Sequence, residues 1–262
     1  MPVYLKQYTD EPNAGDVAGG LIAAHIIGRP VCAIGEAPFG RPNLLGLGSI
    51  LHWADANSFV WGTGFISAQA GLSAMPKRML AVRGHLTRDR LHALGFPAPA
   101  VAGDPGVFVP EIFPASIAAT DLGVVPHLVD VDEPFVRRAR AAGAAILDVL
   151  SPIDSFLQRL SACRLIVSSS LHGLVFAHAY GIPAAWIKLS SRVHGDGFKF
   201  FDYYSSIGIA ASDVRCFGPD ADLSDVARAC ALPIAPIDTA ALRSVLANAV
   251  PDLMDDEPRG AS

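Results

Sequence analysis

Arg164–Leu189 reads RLIVSSSLHGLVFAHAYGIPAAWIKL, and the interpretation of this stretch decides the fold. RLIVSS reads as a strand, LHGLVFAHAY as a helix and IPAAWIKL as a second strand, with Gly181 and Pro183 marking the break. Between Arg164 and Lys188 no residue carries a formal charge, a length that would cross a bilayer. The three serines, two histidines, two glycines and one proline inside it divide it instead into strand, turn, helix and strand. Such a unit is the crossover of a parallel sheet.

The same alternation extends in both directions. Upstream, Val3–Gln7 is followed by the turn Asn13–Asp16 and a helix to Ile27. LLGLGSIL, SFVWGTG, MLAVRG and AVAGDPG are apolar strands that each empty into a glycine-bearing loop, and Thr87 stands where it would cap a helix from Arg88 to Leu94. FVPEIFPASIAATD breaks the rhythm as a linker. Beyond it GVVPHLVD and AAILDVL read as strands, and Pro134–Ala142 and a segment through Leu160 as helices. SRVHGDGFKFFDYYSS reads as a loop, and helical patterns over Leu223–Cys230 and Thr239–Val250 finish the chain. The expectation is an α/β protein of two Rossmann-like domains, residues 1–117 and 118–250, with a cleft between them and a flexible tail over 251–262.

Composition narrows the function classes. The chain has 262 residues, 51% hydrophobic and 17% charged, which supports a large core and excludes disorder for the bulk. A net charge of -5 provides no basic field for a nucleic-acid backbone. Four scattered cysteines without a CxxC pair read as reduced, buried thiols, and the opening MPVYLKQYTDEP lacks the apolar stretch of a secretory signal, so a cytoplasmic chain is expected.

The strongest chemical signal is SSSLHG, Ser168–Gly173, at a strand-to-helix turn. There hydroxyls, backbone N–H groups and the helix dipole converge on one point, as an anion pocket requires. His172 falls in the first helical turn, where the dipole favours a neutral imidazole able to act as acid or base. Asn13, Gly15 and Asp16 form a second turn of this type, in which Gly15 permits close approach and Asp16 caps the following helix. Arg83 ends an apolar strand with a fork suited to carboxylate or phosphate, and Asp104 in GDPG occupies a comparable strand end, where it is also a good turn former. His127 reads as core more than ligand. The histidines make no metal site, and no dinucleotide fingerprint, Walker motif or GxSxG elbow is present.

NAGD (13–16), GSIL (48–51), VWGTG (60–64), VRG with Thr87, GDPG (103–106), Pro126-His127 and SSSLHGLVFAHAYGIP (168–183), in this order and spacing, resemble the polysaccharide pyruvyl transferase family. GDGFKFFDYYSSIG is similar to the branch that decorates bacterial exopolysaccharides such as succinoglycan and xanthan. The resemblance implies a GT-B-like fold, phosphoenolpyruvate as donor substrate with no separate cofactor, a glycan or lipid-linked oligosaccharide as acceptor, and a pyruvate ketal as product. It implies His172 as general acid and Asp16 as base. Asn13, Gly15, Gly64, Arg83, Asp104, Ser168, Ser169, Ser170, Gly173 and Lys199 become substrate-binding residues. A lipid-linked acceptor would bring the enzyme into transient contact with the inner face of the cytoplasmic membrane. Many members carry arginine two positions before the histidine, where this chain has Ser170, so Arg83, Lys188, Arg192 and Lys199 are the cations left to replace it. A sugar-nucleotide glycosyltransferase of the same architecture and a non-catalytic glycan-binding protein are the alternative readings.

Overall fold

The computed structural model describes residues 2–254 and contains two parallel sheets with helices between and around them. The first half runs β1 (Val3–Lys6), α1 (Ala14–Ile27), β2 (Val31–Ile34), β3 (Asn43–Leu45), β4 (Ser58–Trp61), β5 (Arg78–Val82), α2 (His85–Ala93), β6 (Val101–Ala102) and α3 (Val109–Ile112). The second half runs β7 (Thr120–Val125), α4 (Pro134–Ala141), β8 (Ala145–Ile146), α5 (Ile153–Ser161), β9 (Cys163–Ser168), α6 (Leu171–Ala179), β10 (Ala184–Ile187), α7 (Phe198–Ser206), β11 (Cys216–Phe217), α8 (Leu223–Arg228) and α9 (Thr239–Leu253).

The strand orders are β2-β1-β3-β4-β5-β6 and β11-β10-β9-β7-β8, with every strand pair parallel. Parallel sheets are covered on both faces, which is why β4 and β10 are buried at every residue. In each sheet the chain first steps to one side and then reverses, between β1 and β3 in the first and between β7 and β9 in the second. Such switch points open a crevice at the carboxyl ends of the strands, and ligands settle there. Asn13–Asp16 follows β1, His127 follows β7 and Ser168–Ser170 ends β9 and leads into α6, so these three segments flank the two reversals.

Helix patterning follows position in these layers. Helix α6 buries Leu171 and all residues from Gly173 to His178, so it is apolar around most of its circumference. Helix α4 instead buries Phe135, Val136 and Ala139 and turns Arg137 and Arg138 outward. One core cluster runs through both halves, from Leu5, Trp61 and Phe108 to Val125, Phe176 and Tyr203. Polar ties reinforce it: Ala14 N donates to Val149 O at 2.8 Å, and Trp61 Nε1 donates to Leu242 O at 2.8 Å.

Several expectations need correction. The segment read as a loop holds α7, because Phe200, Tyr203, Tyr204 and Ile207 recur at helical spacing and all are buried. Strand β2 has little apolar burial of its own and was not foreseen. Thr87 does not cap α2, since Gly84 is the N-cap and Thr87 lies inside the helix. Asn13, not Asp16, caps α1 and accepts a hydrogen bond from Gly15 N at 3.0 Å. Helix α9, expected to finish the second half, packs on α1, β4, β5 and β6. It continues through Leu253, where a flexible tail was expected to begin at residue 251, and residues 255–262 of that tail lie outside the described residues. Of the four free cysteines Cys163 is buried, but Cys32 and Cys216 are exposed. The uncharged span 164–188 is β9, α6 and β10, and no helix among the described residues is long and apolar enough to cross a membrane.

Candidate functional site

The turn after β1 and the turn after β9 meet. Capping by Asn13 sets the first turn of α1, and Gly15 there lies so near the His172 ring that a Cβ at Gly15 would sit 2.0 Å from Nδ1. The ring also stacks on Phe176, one turn further along α6, with centroids 5.5 Å apart. His172 Nε2 is closed off from solvent and has no hydrogen-bond partner among the described residues. A buried polar atom without a partner is rare in native proteins and calls for a functional explanation. Burial, with help from the charges of Lys199 and Arg83, lowers the His172 pKa to about 3, so the ring is neutral. On the next residue of α1, burial raises the Asp16 carboxyl to about 7.

The serines of the β9–α6 turn have different tasks. Ser168 Oγ lies 2.9 Å from Val125 O and 2.7 Å from Ser170 O and accepts from Ser170 N at 3.0 Å, so its hydroxyl holds the turn together. Gly173 permits this, because a Cβ there would lie 2.3 Å from Ser168 Oγ. Ser169 Oγ accepts from His127 N at 2.9 Å and ties the turns after β7 and β9. Ser170 is the N-cap of α6, yet its side chain makes no capping hydrogen bond.

Lys199 lies in the first turn of α7 and is only 9% exposed, without an ion pair or hydrogen bond among the described residues. Its Nζ lies 5.6 Å from the centroid of the Phe200 ring. Burial and the nearby Arg83 charge lower its pKa to about 8, although Asp130 acts the other way. His127 shares this environment: burial, Lys199 and His194 bring its pKa to about 4 against the pull of Asp130. His172, His127 and Lys199 therefore occupy one electrostatic neighbourhood.

Arg83 was expected to offer its fork to a carboxylate or phosphate of the substrate. It is instead fully buried, because α7 brings Asp202 against it. Nε donates to Asp202 Oδ2 at 2.9 Å, Nη1 to Ser49 Oγ at 2.6 Å and Nη2 to Phe65 O at 2.8 Å. Asp202 also accepts from Thr87 N at 2.8 Å and from Thr87 Oγ1 at 2.7 Å. Gly64 makes room for the pair, since a Cβ there would meet Arg83 Nη2 at 2.6 Å and Asp202 Oδ2 at 2.8 Å. Asp104 is likewise fully buried, its Oδ1 accepting from Gly106 N at 2.8 Å and its Oδ2 unpartnered. Burial raises its pKa to about 6, offset in part by the Gly106 N–H and by Arg83. Of the remaining cations, Lys188 is exposed, and Arg192 pairs with Glu133 Oε1 at 2.5 Å.

Sequence reasoning missed Asp202 and Asp130. Asp202 was hidden by reading α7 as a loop, although its place three residues after Lys199 put both on one helical face. Asp130 follows His127 in a short turn, Leu128–Asp130, and gave no motif signal.

Comparisons with known proteins bear on this geometry. An uncharacterized protein of Acanthamoeba polyphaga mimivirus is 29% identical over 219 residues, covering 79% of this chain and 75% of that protein. A solved structure of a functionally uncharacterized Klebsiella pneumoniae protein aligns with a TM-score of 0.47 and 10% identity, over 82% of this chain and 92% of that one. The family model for polysaccharide pyruvyl transferase matches residues 54–191, which include Arg83, Asp104, His127 and Ser168–Gly173 but stop short of Lys199 and begin after Asp16. With more than half of its length matched, the chain belongs to the polysaccharide pyruvyl transferase family.

Proposed function

We propose that the protein transfers the pyruvyl group of phosphoenolpyruvate onto two hydroxyls of a sugar, as a cyclic ketal, with release of phosphate. One observation carries this reading: a neutral His172 whose Nε2 has no hydrogen-bond partner, and a buried Lys199 that makes no ion pair, share one site among the described residues. A carboxylated phosphate ester supplies the missing negative charge. In this reading the two sheets form Rossmann-like domains of a GT-B-like molecule, with the donor in the cleft between them.

The donor's carboxylate and phosphate sit against Lys199, Ser170 and the N-terminus of α6, whose dipole adds partial positive charge. Arg83 acts through its field from beneath the site, since its donors already serve Asp202, Ser49 and Phe65. His172 is held neutral mainly by burial and further by the Lys199 and Arg83 charges; a bound dianion offsets those charges and adds negative charge beside the ring, which favours a protonated His172 once the donor is in place. It delivers that proton to the donor's methylene carbon, which becomes the methyl group. The central carbon turns electrophilic, one sugar hydroxyl adds to it, and a second displaces phosphate, its proton leaving with the phosphate, to close the ketal. Asp16, raised to about 7, accepts a hydroxyl proton near neutral pH. A bacterial exopolysaccharide or its lipid-linked precursor, met at the inner face of the cytoplasmic membrane, fits such a product.

The test incubates the protein with a panel of methyl hexopyranosides and either phosphoenolpyruvate or UDP-glucose, and follows free phosphate together with the mass of the glycoside. The reading expects phosphate release that depends on a glycoside, with a pyruvate ketal of that glycoside appearing in step. Transfer of a hexosyl group from UDP-glucose, with no ketal formed, would replace it with glycosyl transfer.

A further inference from the structure

Beside the His172 and Lys199 groups lies an open pocket of about 620 Å³, counted with its mouth, whose walls include Asp130, Ser169, Trp186, Ser191, His194 and Phe200. Stacking of Trp186 on Phe200, with centroids 4.4 Å apart and planes within 11°, gives it a rigid apolar wall. The polar side is more informative. Asp130 is fully buried, and Ser190 Oγ donates to its Oδ1 at 2.6 Å, which fixes the carboxylate. Its Oδ2 has no partner among the described residues and is closed off from water. Arg192 comes no nearer than 3.9 Å, to Oδ1, and is engaged by Glu133.

Leaving a buried carboxylate oxygen unpaired is costly, so a ligand that completes this pocket must bring a hydrogen-bond donor. An anion without a donor and an apolar ligand would alike leave Oδ2 unpaired. A neutral ligand that carries hydroxyls and packs along the apolar wall meets both demands. Ser169 connects the pocket wall to His127 and the SSSLHG turn, and Phe200 is the neighbour of Lys199 in the chain. We infer that this pocket binds one sugar ring of the acceptor, with Asp130 Oδ2 accepting from a ring hydroxyl. The role as acceptor site rests on the pyruvyl-transfer reading, whereas the ligand class rests on the pocket alone.

The experiment titrates the protein with methyl glycosides of galactose, glucose and mannose, read by saturation-transfer NMR and by tryptophan fluorescence, which Trp186 reports from the pocket wall. It includes Asp130→Asn and, because a buried change can unsettle folding, Ser191→Trp at an exposed position on the mouth. At least one glycoside should saturate, Asp130→Asn should weaken it by about tenfold or more, as expected for a hydrogen bond to a charged group, and Ser191→Trp should abolish it. Neither variant should weaken phosphoenolpyruvate binding. Glycoside binding that survives both variants would overturn the inference, as would silence with every glycoside or saturation by uridine in their place. Glycoside binding with no affinity for phosphoenolpyruvate would sink the transfer reading and leave the sugar pocket standing.

Discussion

Two cations are buried in the same region and are treated in opposite ways. Arg83 is enclosed by an ion pair, a serine hydroxyl and a backbone carbonyl, and its partner Asp202 is held in turn by both polar groups of Thr87. Among the described residues Lys199, one turn before Asp202 on α7, has no such partner, and its Nζ lies over the face of Phe200. The two residues lie close enough for each charge to be felt by His172. What separates them is satisfaction: the first set of polar groups completes itself within the fold, and the second remains incomplete until something binds. The Arg83–Asp202 pair thus anchors α7 and fixes where Lys199 stands, and His172, Lys199 and Asp130 are left for ligands.

The contrast can be broken most directly at His172. Replacing it with alanine removes a proton carrier and no hydrogen bond, so turnover should fall by roughly 10²–10⁴ while the unfolding transition stays in place. A variant that keeps its activity would remove His172 from the chemistry. The opposite pattern is expected of Arg83→Met, which strands the Asp202 carboxylate in the interior. Urea denaturation should report a loss of about 3–5 kcal/mol, and a loss below ~1 kcal/mol would show that the pair is not a structural anchor.

Gly15→Ala sharpens the comparison at the point where the halves meet. Gly15 lies in the first turn of α1, where its φ suits alanine equally, yet an alanine Cβ would lie 2.0 Å from His172 Nδ1. The expected outcome is a fall in kcat with the helix intact by circular dichroism; unchanged kcat would mean that the ring can move without consequence.

The smallest effect is a pH dependence. The Lys199 pKa lies below its unfolded value of 10.5, at about 8. Between these limits the unfolded chain holds more protons, so this residue makes stability rise as pH increases from about 8 to 10.5, and its cost is fully present below pH 8. Lys199→Met should flatten that rise and be the more stable protein at pH 7. Parallel stability curves for the two proteins would contradict the picture of an unpaired buried cation.

Much of this could be read from the sequence where period and turn chemistry agreed. β9, α6 and β10 follow from RLIVSS, LHGLVFAHAY and IPAAWIKL because strand and helix lengths there coincide with serine, glycine and proline breaks. The meeting of Asn13–Asp16 with His172 was implied only by their shared position after a strand. Their contact depends on long-range packing that no local pattern encodes. Arg83 looked free because its partner is 119 residues away on a helix that glycines and aromatics disguised as a loop. Asp130 stayed silent for a different reason: a carboxylate in a turn ordinarily faces water, and only the enclosing Ser190–Gly197 segment makes it a buried group with one oxygen to offer.

The most direct test of the division between satisfied and unsatisfied groups is calorimetric titration of phosphoenolpyruvate into the wild-type protein, Lys199→Met and Thr87→Val, with the melting temperature of each recorded. Lys199→Met should lose phosphoenolpyruvate binding without a fall in melting temperature, and Thr87→Val should melt earlier while binding as the wild type does. Undiminished binding by Lys199→Met, or an absence of binding by the folded wild-type protein, would contradict the account.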